Sequence, residues 1–106
     1  MWTYLDRVIA SELAKVGVNP ESRIAMIGEP LYAYWARIAR LRIVAEVPRW
    51  AVTDFWASTH VRKSEVIEIF RSLGVKAVVA DQESSREDAL DWKTLGSTSL
   101  RVLLMD

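Results

Sequence analysis

The stretch 23–48, RIAMIGEPLYAYWARIARLRIVAEVP, restricts the fold more than any other part of this chain. It opens with the apolar run Ile24-Ala25-Met26-Ile27, which lacks the polar alternation of a half-solvated strand and so reads as a strand covered on both faces. Gly28 breaks the run, and Pro30 suits the first turn of a helix. Leu31, Tyr34, Trp35, Ile38 and Leu41 then recur at helical spacing, with Arg37 and Arg40 left on the other side. A second apolar run, Ile43-Val44-Ala45, ends at Glu46-Val47-Pro48, where proline stops the ladder because it has no N–H to donate. Strand, turn, helix and strand in this order open a parallel α/β sheet.

The remainder of the chain extends that pattern. Leu5, Val8, Ile9, Leu13 and Val16 predict a first helix, with Thr3 and Asp6 giving a capping-box-like start and Gly17 a left-handed stop. The connection 49–59 contains Trp50, Phe55 and Trp56, too many large rings for a purely solvated loop, so part of it packs as a short helical turn. Ser58 or Thr59 can cap a further helix, whose stripe of Val66, Ile69, Phe70 and Leu73 ends at Gly74. Ala77-Val78-Val79-Ala80 is the third buried strand. The stretch 81–91, DQESSREDALD, is polar without an apolar period and reads as a loop. Residues 92–95 and 100–105 flank the turn-rich Gly96-Ser97-Thr98-Ser99 and predict a closing β-hairpin. The expectation is one α/β domain over residues 1–106. Its form is a three-layer Rossmann-like sandwich, with three parallel strands, crossover helices and a C-terminal hairpin that makes the sheet mixed.

Composition narrows the function classes. Half the residues are hydrophobic (51%) and 26% are charged, as in a chain that buries a core. Fourteen basic and fourteen acidic residues cancel, so no global field favours phosphate backbones, and nucleic acid is not an expected partner. With no cysteine there is no disulfide and no thiolate, and one histidine weakens any metal reading. Neither a metal nor a cofactor is therefore expected. No apolar run approaches the roughly 20 residues that span a bilayer, and the first residues lack a signal peptide's apolar centre.

In open α/β sheets ligands sit beyond the carboxyl ends of the strands, which here means Gly28-Glu29, Glu46-Val47 and Asp81-Gln82. Glu46 lies 18 positions after Gly28, close to the offset of about 20 at which dinucleotide-binding folds place the acid that binds ribose. The turn itself does not fit: Gly28-Glu29-Pro30-Leu31-Tyr32-Ala33 offers one glycine where G-x-G-x-x-G is needed. Glu29 also puts a negative charge where a pyrophosphate would meet the helix. A nucleotide or sugar held by Gly28, Glu29, Glu46 and Asp81, with Tyr32, Trp50 or Trp56 stacking on it, is one reading of these residues. The plain account is that Glu29 favours the helix dipole and that Glu46 and Asp81 are solvated strand ends. Arg37, Arg40, Arg42 and Arg49 read as a wet helix face rather than a phosphate site. Asp54, Ser58 and His60 sit near one another in sequence, but Ser58 is better used as a cap, and no nucleophile-elbow pattern occurs. No complete catalytic constellation is legible, so enzymatic activity is left open.

The segments GEPLYAYWARIARLRIVAEVP and FWAST, then FRSLGVKAVVAD and the closing W-x-x-L-G hairpin, resemble the soluble C-terminal region of a group of bacterial multispanning membrane proteins. These are largely uncharacterised and are similar to the dolichyl-phosphate-mannose-type glycosyltransferases. The most distinctive pieces are Tyr34-Trp35-Ala36-Arg37 with Ala39-Arg40, Ile43-Val44-Ala45-Glu46, and Phe55-Trp56. The resemblance covers most of the chain and brings no catalytic motif, so no active site is carried over. It implies a non-catalytic accessory or interaction domain whose partner is the membrane portion of its parent protein. That portion would hold the glycosyl-transfer chemistry, and the tail would face the extracytoplasmic side of a bacterial inner membrane. Without the resemblance the chain reads as cytoplasmic, and the alternative function is a small-molecule domain binding a nucleotide or sugar.

Overall fold

A computed structural model describes residues 4–28, 34–81, 92–96, 98 and 100–105. The elements in chain order are α1 (Tyr4–Lys15), β1 (Arg23–Ile27), α2 (Tyr34–Ile38), β2 (Arg42–Val47), α3 (Val52–Ala57), α4 (His60–Ser72), β3 (Val75–Asp81), β4 (Lys93–Thr94) and β5 (Leu100–Leu104). A 3-10 turn, Arg49–Ala51, joins β2 to α3. The protein is α/β, with a five-stranded mixed sheet in the order β2-β1-β3-β5-β4. Strand β1 pairs in parallel with β2 and β3, whereas β5 is antiparallel to β3 and to β4.

The position of β1 and β3 inside the sheet explains their unbroken apolar runs. Ile24, Ala25, Ile27, Ala77, Val78, Val79 and Ala80 are each at most 1% exposed, as strands with cover on both faces require. One face carries Ile24, Met26, Ala77, Val79 and Val102, packed with Ile9, Ala10 and Leu13 of α1 and Trp35 and Ala36 of α2. The other carries Ala25, Ile27, Val78, Ala80 and Leu103, packed with Phe55 of α3 and Ile67 and Phe70 of α4. The β1-to-β2 connection thus holds a helix on one face, and the β2-to-β3 connection, running back across β1, holds its helices on the other. Opposite direction combined with opposite face gives both crossovers the same hand, as parallel connections almost always require.

Strand β2 lies at an edge and is irregular. Ile24 pairs with Ile43 but Ala25 pairs with Ala45, so Val44 is an extra residue. The bulge reverses the alternation: Ile43 packs with the α1–α2 side, Ala45 with the α3–α4 side, and Val44 is exposed. An edge carrying a bulge, with exposed Arg42 and Glu46 and followed by Pro48, is a poor template for a foreign strand. At the opposite edge β4 is only two residues long and bears Lys93.

Several helix details differ from the periodicity. In α1, Leu5 is exposed while Asp6, Ile9, Ala10 and Leu13 are buried. In α4, Ile67 and Phe70 are buried whereas Ile69 is 58% exposed and Leu73 is also exposed. The α4 sequence offers two apolar stripes offset by about half a turn, and the helix turns Ile67 rather than Ile69 toward the sheet. Thr59 caps α4, its hydroxyl oxygen accepting from the Arg62 N–H at 3.1 Å. The 49–59 connection packs through Phe55, as α3 and the 3-10 turn, but Trp50 points to solvent. Asp81 ends β3, and the rest of the predicted 81–91 loop lies outside the described residues. The closing hairpin forms, with buried Thr98 donating to the Leu95 carbonyl at 2.6 Å and accepting from the Leu100 N–H at 3.2 Å.

Candidate functional site

The strand order brings the carboxyl ends of the three parallel strands side by side, because Ile27 of β1 is in register with both Val47 of β2 and Ala80 of β3. Since β2 and β3 flank β1 and the chain crosses over β1 between them, the gap between β1 and β3 is the point where the winding reverses. Gly28 stands at this rim. It is buried, its φ of +135° is one that side-chain-bearing residues rarely adopt, and its N–H donates to the Val47 carbonyl at 3.0 Å. That amide closes the β1–β2 ladder and is not available to cradle a phosphate.

The other sequence-predicted residues spread out along the rim. Glu46 is exposed, stands opposite Met26, and lines a shallow groove of about 360 Å³ with Ile43, Val44 and Ala45 along the β2 edge. Asp81 closes β3 opposite Leu100. Trp50 follows β2 in the 3-10 turn and is 84% exposed. Trp56 is half-buried, and its ring packs against other rings rather than standing as a free stacking platform. It meets Phe55 edge-on at 4.9 Å and Trp92 edge-on at 5.5 Å between centroids. Glu29 and Tyr32 lie outside the described residues.

Two other sequence clusters have ordinary roles. The Ser58 hydroxyl donates to the Phe55 carbonyl, and His60 and Asp54 are exposed on separate helices. The arginines at 37, 40, 42 and 49 are exposed, and Arg42 pairs with Glu21 at 3.3 Å. Among the described residues no group of three or more His, Asp or Glu side chains is placed to hold a metal ion, and no helix is long and apolar enough to cross a membrane.

The sheet also assembles a cluster that the sequence reading does not single out. Trp92 immediately precedes β4, whose register sets Lys93 opposite Val102 and Thr94 opposite Arg101. Arg101 in turn faces Ala80, so Arg101 and Trp92 share the α3–α4 side of the sheet as diagonal neighbours across the β4–β5 ladder. Trp56 reaches the same place from α3 through its ring contact. Lys63 of α4 lies 5.9 Å from the Trp56 ring centroid and donates to the Trp56 carbonyl at 3.2 Å. Among the described residues, the indole N–H of Trp56, the indole N–H of Trp92 and the Nε of Arg101 are all buried and meet no acceptor. A buried donor without a partner costs about 1–3 kcal/mol, so three together are a marked local debt of hydrogen bonding. The sequence signal for this cluster is faint: an arginine between Leu100 and Val102 in an apolar strand, and a tryptophan at the hairpin's start.

Compared with protein families, with curated proteins and with solved structures, the chain matches none.

Proposed function

We propose that this chain is a non-catalytic accessory or interaction domain, the soluble tail of a larger membrane protein of the kind its segments resemble. In this reading the sheet and its helices are a three-layer Rossmann-like scaffold whose phosphate turn is not used, and the domain docks on the membrane portion of its parent at the extracytoplasmic face. The observation that carries it is Trp50, 84% exposed beside Arg49. Tryptophan is the residue most enriched among the few that dominate binding at protein interfaces, and no packing role within the fold accounts for this one. The test is a photo-crosslinking amino acid at position 50 of the complete native polypeptide in its membrane. Crosslinks to a membrane-embedded portion of the same polypeptide are expected. A native gene encoding only this short chain, or crosslinks confined to lipid and solvent, would overturn the reading.

A second reading, a domain that binds a nucleotide or sugar, is favoured by the reversal of winding between β1 and β3, where open α/β sheets place their ligands. Titration with AMP and with glucose, followed by amide NMR, would then move Gly28, Glu46 and Asp81. Unmoved amides at those three positions would remove it.

A further inference from the structure

We propose that Trp56, Trp92 and Arg101 form a binding site for an oxyanion, the carboxylate or phosphate group of a small molecule. The site goes beyond the tail reading and stands whether or not that reading holds.

The chemistry follows from what the three side chains offer. Trp92 is 9% exposed, its indole N–H has no acceptor among the described residues, and the Trp56 ring packs edge-on against it at 5.5 Å with a second indole N–H in the same condition. Arg101, on the same side of the sheet one diagonal step along the ladder, adds an unpartnered Nε. An indole nitrogen only donates, and a guanidinium only donates. The occupant must therefore bring lone pairs, which excludes a metal ion and a group that only donates. Arg101 brings a guanidinium, a donor-only cation, to the same side of the sheet. A guanidinium beside two neutral donors selects an anion, and an oxyanion accepts from several N–H groups at once, in bonds roughly twice as strong as neutral ones.

The test uses the full chain labelled with ¹⁵N, reading the indole N–H signals of Trp56 and Trp92 during separate titrations with sodium acetate, inorganic phosphate and sodium chloride at matched ionic strength. Saturable downfield shifts of both signals with acetate or phosphate, and not with chloride, are expected, and the tighter of the two identifies the oxyanion class. Arg101→Lys keeps the charge but removes Nε, and should weaken binding by about tenfold or more, the loss of one charge-assisted hydrogen bond. Trp92→Phe keeps a ring and removes a donor, and should likewise weaken the binding read from the saturable shift at Trp56; the dispersed amide spectrum of each variant reports that it folds. Three results would overturn the site. The indole signals stay unmoved in the folded protein; or chloride moves them as far as acetate does; or they are already downfield without added anion and return only when Glu83, Glu87, Asp88 and Asp91 are exchanged for amides.

Discussion

Two helices of this chain end in the same backbone device with different residues at its left-handed position. At the end of α1 the Val18 N–H donates to the Leu13 carbonyl at 3.0 Å and the Gly17 N–H to the Ala14 carbonyl at 3.1 Å, with Gly17 at φ +93°. At the end of α2 the Leu41 N–H donates to the Ala36 carbonyl at 2.8 Å and the Arg40 N–H to the Arg37 carbonyl at 3.1 Å, with Arg40 at φ +58°. Both are Schellman motifs, which satisfy the last carbonyls of a helix through one residue in the left-handed region. The left-handed conformation costs a side-chain-bearing residue roughly 1–2 kcal/mol, offset in part by glycine's larger entropy loss on folding. Arg40→Gly is therefore expected to stabilise the fold by up to about 1 kcal/mol, read as a higher urea midpoint at unchanged slope. Gly17→Ala tests the same physics in reverse: a Cβ at Gly17 meets nothing within 4 Å, so its destabilisation of about 1–2 kcal/mol would be purely conformational. The pair also marks what a sequence can announce. A glycine at a helix end declares the left-handed stop, whereas Arg40 reads as one more solvated arginine, because its strain comes from how sharply the chain must turn between α2 and β2.

At the scale of the element, α4 shows how a correct boundary can carry a face that is only half right: Val66 and Phe70 pack on the core, Ile69 and Leu73 do not. Thr59 is legible as a cap because a hydroxyl just before a helix accepts from the first turn, and it does so with the Arg62 N–H. Thr59→Ala should cost about 1 kcal/mol, with Thr59→Ser close to neutral, measured by thermal or urea unfolding. The stripe is another matter, since Val66, Ile69, Phe70 and Leu73 obey helical spacing as well as the residues that are buried. What decides is the position of the sheet beneath, which brings Ile67 and Phe70 into one cluster with Ala25, Ile27 and Val78. Ile67→Ala should then cost about 2–5 kcal/mol through the cavity it leaves. Ile69→Ala, on the exposed side, should stay within about 0.5 kcal/mol. Equal losses at the two positions would mean that the assigned face of α4 is wrong.

For the whole molecule, β1 and β3 are legible because doubly covered strands write themselves as unbroken apolar runs, and the closing hairpin because turn residues separate two short extended runs. The order β2-β1-β3-β5-β4 is not, since it depends on which edges remain free once the helices are placed. The candidate sites divide in the same way. Acids at strand ends are visible from local pattern, while Trp56, Trp92 and Arg101 come to one side of the sheet only because β5 inserts between β3 and β4. The bulge at Val44 is equally silent in sequence, yet it has a consequence for the whole sheet. An open parallel edge displays a row of unpaired N–H and C=O groups, and here the extra residue breaks that row and reverses the alternation midway along β2. Deleting Val44 would leave both the Ile24–Ile43 and Ala25–Ala45 pairs in place, with Ile43 and Ala45 still on the faces they now occupy, so the domain should fold with a regular edge. A regular edge is a template for a second copy. The deletion is therefore expected to keep cooperative unfolding and to raise self-association above that of the unaltered chain, measured by sedimentation velocity over a concentration series. If the shortened chain folds and associates no more strongly than the original, the bulge does not guard the edge, and the charges of Arg42 and Glu46 and the stop at Pro48 must do so alone.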